Sequence, residues 1–174
     1  MDNFAEQLVK RDKTGAMKTQ RAMILSGGII LTVALLFLSI FLLGRMGLMF
    51  VGVLLAAAAG LGTYFLWQNT FVEYEYTFTN GELDVDKIIA QKKRRELMSV
   101  NIRQFTDFGR YDDSMEEPKE MTVILATDNS ASNEYYADFT DETVGSARLI
   151  FVPDERMLEN IRKFLPAKLR AKQL

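Results

Sequence analysis

Side-chain chemistry usually starts from histidine or cysteine, and this 174-residue chain has neither. That excludes Ser-His-Asp and Cys-His catalysis, His/Cys zinc sites, iron–sulfur ligation, haem held by His or thiolate, and disulfides. Carboxylates and cations remain. Asp84 and Asp86 share one face if their segment is a strand, and Asp112, Asp113, Glu116 and Glu117 crowd one loop. Paired carboxylates can bind Ca²⁺ or Mg²⁺, but no spacing here matches the Asp-x-Asp-x-Asn-Gly calcium loop. Neither a metal nor any other cofactor is expected. The densest cationic cluster is Lys92-Lys93-Arg94-Arg95. Beside an anionic leaflet each such charge gains about 1 kcal/mol, which makes these four the candidate lipid head-group contact. The plain alternative is a solvated hairpin loop. Gly60-x-Gly62 has the spelling of a nucleotide loop but lies inside an apolar block. Nothing points to Ser-Lys or carboxylate catalysis, and the expectation is a protein that is not an enzyme.

The elements that carry these residues are sharply segregated. Hydrophobic residues make up 48% of the chain and charged ones 25%, yet from Ala22 to Trp67 the only charge is Arg45. That block predicts two membrane spans, 22–43 and 46–67, each reaching roughly 33 Å at about 1.5 Å per residue. Gly44-Arg45-Met46-Gly47 reads as the turn between them. A signal peptide would have a shorter apolar stretch followed by polar sequence, whereas this chain re-enters hydrocarbon at once. Lys10, Arg11, Lys13, Lys18 and Arg21 precede the first span, so the positive-inside rule puts both termini in the cytoplasm of a two-span cell-membrane protein. Small residues at Gly52, Ala56, Gly60 and Thr63 form a helix-packing stripe on the second span. It serves either contact with the first span, near Gly27 and Gly28, or a homo-oligomer. Neither span holds an internal charge, which argues against an ion pathway. Residues 1–21 read as a separate basic segment, with Phe4, Leu8 and Val9 on one face of a short amphipathic helix or in a frayed tail.

Residues 68–174 have the size of one domain and carry fifteen basic and twenty acidic side chains, which argues against nucleic acid as a partner. Val72, Tyr74, Tyr76 and Phe78 alternate with polar residues, then Asn80-Gly81 gives the strongest hairpin signal available. Strands are expected over 71–79, 82–90 and 96–102, with a basic turn at 91–95, and again over 121–127, 134–139 and 146–152. The segment 103–111 is ambiguous. Pro153-Asp154-Glu155 opens a helix in which Met157, Leu158, Ile161, Phe164 and Leu165 recur at helical spacing. The expectation is a meander of six or seven antiparallel strands, folded as a barrel or sandwich and capped by a C-terminal helix. Fragment 69–174 is expected to fold alone.

This order resembles the pleckstrin-homology-like (PH-like) fold, and more closely bacterial membrane proteins in which paired transmembrane helices precede such a domain. The residues that carry the resemblance are 76–83 (Tyr-Thr-Phe-Thr-Asn-Gly-Glu-Leu), the basic turn leading into 97–102, and Phe151-Val152-Pro153-Asp154. The chain is similar over nearly its full length to small membrane proteins of Gram-positive bacteria, through Gln7-Leu8-Val9-Lys10-Arg11 and the Tyr-Thr-Phe-Thr-Asn-Gly stretch. The resemblance implies fold and placement; it carries no activity and no functional residue. Two functions are expected from this. One is a membrane-anchored interaction module with the bilayer and an unidentified protein as partners. The other is an accessory subunit of a larger membrane complex assembled through the transmembrane helices.

Overall fold

A computed structural model describes residues 3–11, 15–112, 114–115, 120–128, 133–141 and 145–172. The chain forms two compact units, Thr14–Phe71 on its own and Met1–Lys13 together with Val72–Leu174. The expected divisions at 1–21, 22–67 and 68–174 therefore need correcting, because the N-terminal residues belong to the C-terminal domain.

The helical unit is a hairpin of α1 (Gly15–Leu38) and α2 (Met49–Asn69). Both are long and apolar enough to cross a membrane, and almost none of their apolar surface is buried inside the chain. A core helix of a soluble protein would bury it. The end of α1 widens into a π-helical turn over Ser39–Leu43, then tightens at Gly44–Met46 before Gly47 reverses the chain with φ +74°. Buried Ser39 holds this corner by donating its hydroxyl to Met49 O at 2.8 Å. At the open end Arg21 donates to Thr70 O at 3.0 Å and lies 3.9 Å over the Phe71 ring. A cation there complements the C-terminal carbonyls of α2.

Among the described residues the second unit has eight strands in two sheets. The first sheet runs β1 (Phe4–Lys10), β2 (Val72–Thr79), β3 (Glu82–Ile89) and β4 (Lys93–Asn101), all antiparallel. The second is ordered β5 (Phe105–Arg110), β7 (Tyr135–Asp141), β8 (Gly145–Phe151) and β6 (Thr122–Ala126). The sheets do not close into a barrel, and β6 lies parallel to β8, so the expected antiparallel meander holds only for the first sheet. Residues 4–10 are a strand, not an amphipathic helix. Ala5 and Val9 face the core while Phe4 and Leu8 face out. A four-residue spacing suits either period, and pairing with β2 across sixty-odd residues of chain decided it. The hairpin is therefore an insertion between two adjacent strands, and Arg11 N still bonds Val72 O at 3.0 Å.

Asp154 caps α3 (Glu155–Phe164), accepting from Met157 N at 2.7 Å, and Pro166 separates it from α4 (Ala167–Lys172). Met157, Ile161 and Leu165 complete a core that includes Tyr76, Phe78, Leu83, Phe108, Phe139, Leu149 and Phe151. Phe164 lies against the first hairpin, where a Cβ on Gly81 (φ +101°) would stand 2.7 Å from its ring.

Inside the core the Tyr76 hydroxyl donates to Ala126 O and accepts from Val152 N at 3.3 Å, tying the first sheet to the end of the second. Burial pushes this phenol well above its ordinary range. Tyr76→Phe should cost about 1–3 kcal/mol by leaving buried backbone groups without their partner. The unfolded phenol releases its proton near pH 10 while the folded one retains it, so stability falls as pH rises past that value. Thermal melts should show lower stability for Tyr76→Phe at pH 7 and a shallower alkaline decline.

Candidate functional site

The basic run does not form one patch. Lys92 ends a turn made by Ala90 and Gln91, at φ 54° and 56°, and β4 begins at Lys93. The expected turn at 91–95 thus shifts to 90–92. Strand alternation sends Arg94 to the outer face and Lys93 and Arg95 to the other, although all four residues are exposed. Arg94 is engaged by Glu75 and by Asp86, the latter at 3.4 Å. The outer face around it carries Glu73, Glu75, Glu82, Asp84 and Asp86, in register across β2 and β3. Lys10 approaches Glu73 at 3.6 Å. Burial, and then the neighbouring Asp84 carboxylate, push the Asp86 carboxyl above its usual range. Asp84 and Asp86 do share a face, as their spacing predicts. No group of His, Cys, Asp or Glu among the described residues is arranged to hold a metal ion. Asp113, Glu116 and Glu117 lie outside the described residues.

The small-residue stripe packs within the hairpin. Gly52 and Ala56 are buried, and a Cβ on Gly52 would stand 2.5 Å from Ser39 Cβ. Gly28 lies directly against Thr63, and Gly60 faces Thr32. Gly28 is the contact its position near the start of the first span suggests; Gly27 has open space beside it.

A concave site lies where sequence alone gave no signal. A groove of about 560 Å³ runs between α3, the end of β5 and the start of β7, lined by Arg110, Tyr135, Glu155, Glu159 and Arg162 among others. A second recess of about 330 Å³ shares Arg110, Tyr135 and Arg162 and adds Phe108, Met115 and Tyr136. Arg110 ends β5 and Arg162 sits on the last turn of α3, 52 positions apart in sequence.

Residues 1–171 match the model of a family described as a bacterial PH-like domain, DUF6106. The chain belongs to this family. No curated protein and no solved structure matches it. The match takes in β1, the hairpin and the residues after it alike.

The second sheet of the PH-like domain carries a polar network that sequence reasoning missed. Arg148 and Asp138 are cross-strand partners joined by two bonds of 2.6 and 2.7 Å, each side chain about a tenth exposed. The Asp138 hydrogen bond holds the guanidinium above its ordinary value. The Arg148 guanidinium also lies 4.9 Å from the Tyr136 ring, whose hydroxyl donates to Asp107 at 3.0 Å. These groups satisfy one another, which suits rigidity better than catalysis.

Proposed function

We propose that this chain is a membrane-anchored, non-catalytic interaction module that presents its PH-like domain at the cytoplasmic face. The observation that carries this reading is the insertion of the apolar hairpin between β1 and β2. Four residues join β1 to α1 and two join α2 to β2. Two short tethers restrain a domain at the bilayer far more than one flexible linker would. Five basic residues precede the first span and one sits in its turn, which favours the cytoplasmic side for the domain. Its partners would be the bilayer and a protein recognised by the domain.

The accessory-subunit reading has less support, because Gly60 and Thr63 face α1 and Gly52 faces the π-helical turn that follows it, rather than presenting a free stripe. A head-group role for Lys92, Lys93 and Arg95 loses its fourth charge to the Glu75 and Asp86 pairs.

Cysteine labelling tests the placement cleanly in a chain without native cysteine. Met46→Cys should react with an impermeant reagent added outside intact cells, and Arg170→Cys should react only after permeabilisation. The reverse pattern would place the domain outside.

A further inference from the structure

We propose that Arg110 and Arg162 together hold a phosphate group in the recess beside α3. Arg110 and Arg162 line both adjoining cavities, so two elements distant in sequence bring two arginines to one concavity. Neither side chain makes a hydrogen bond or ion pair among the described residues, although Glu155 and Glu159 line the larger cavity. Elsewhere in the domain Arg94, Arg148, Arg156 and Arg170 spend their donors on carboxylates or carbonyls of the protein. Among the described residues the smaller recess has no carboxylate on its wall, and its remaining lining is mostly Tyr and Phe. A pair of cations left unneutralised in a partly enclosed site favours an anion, and the planar guanidinium fork matches phosphate oxygens. The carboxylates of the larger cavity disfavour an extended polyanion and limit the ligand to one phosphate in the smaller recess. A soluble phosphorylated molecule and a lipid head group offer that same group. The site belongs to the domain alone and does not depend on the membrane-anchoring reading.

The test uses the full chain with ¹⁵N-labelled arginine in maltoside micelles, which contain no phosphate. Inorganic phosphate should shift the Arg110 and Arg162 Nε–Hε resonances saturably, while chloride at equal ionic strength should not. Arg110→Gln/Arg162→Gln should weaken the binding at least about tenfold at an unchanged melting temperature. Arg110→Lys/Arg162→Lys should fall between, since it keeps the charge and loses the fork. The same resonances in phosphatidylglycerol and phosphatidylcholine nanodiscs identify the source. Shifts confined to phosphatidylglycerol discs assign a lipid head group, and shifts with free phosphate assign a soluble ligand. Absence of shift in every condition would overturn the proposal. So would equal response to acetate, or undiminished binding by the Gln pair.

Discussion

A chain cut to residues 69–174 should fail to give a stable domain, whereas one in which residues 14–71 are replaced by an Asn-Gly link should fold and melt cooperatively. The expectation from sequence, that 69–174 folds alone, overlooks β1. Residues 4–10 contribute a seven-residue ladder to β2 and bury Ala5 and Val9 in the core. Gln7 donates to Val152 O at 2.8 Å and accepts from Asp154 N at 2.8 Å, while Arg156 reaches Phe4 O at 3.2 Å. Burying Val9 is worth about 1.5–3 kcal/mol and each hydrogen bond about 0.5–1.5. Together these approach the 5–15 kcal/mol that such a domain has in total. The cut also bares the edge of β2, which invites aggregation. Circular dichroism and thermal melts of both proteins decide the matter: equal melting temperatures would mean that β1 is dispensable.

Arg148→Ala should be strongly destabilising. It leaves the Asp138 carboxylate, about a tenth exposed, without its two charged bonds. Breaking such a pair costs about 3–5 kcal/mol, or roughly 10–20 °C in melting temperature. Arg148→Met with Asp138→Leu should recover most of that loss, because no uncompensated charge remains. A loss under about 1 kcal/mol for Arg148→Ala would mean that the pair behaves as a solvated surface bridge.

What the sequence made legible was the local part. The Asn80-Gly81 turn needs positive φ at both positions, and the chain supplies the two residue types that tolerate it. Alternation in β2 and the Asp154 cap on α3 also depend on near neighbours. The β3–β4 turn was misplaced because Ala90 and Gln91 adopt positive φ without being Gly or Asn, and their charged neighbours resemble a loop. Long-range pairing was illegible in principle. Nothing local in residues 122–126 says that they run parallel to β8. Nothing near Arg110 points to Arg162, and the Arg148–Asp138 pair needs the β7–β8 register before it exists. Contiguity of the basic run in sequence does not reveal that Arg94 points to the opposite face from Lys93 and Arg95 once the segment is a strand.

If both helices cross the bilayer as proposed, the insertion of the hairpin between β1 and β2 also constrains how the molecule is made. The ribosome releases β1 before either span, and its partner β2 only after both, with Leu8 paired to Glu75. The first sheet cannot be completed while the chain is still being threaded into the bilayer. It closes only when insertion has returned the second span's end to the side where β1 waits. A chain stalled after one crossing, or inserted with an odd number of crossings, keeps β1 and β2 on opposite sides and leaves an incomplete core for proteases to recognise. On that reading, a completed first sheet reports that the chain has crossed the bilayer an even number of times.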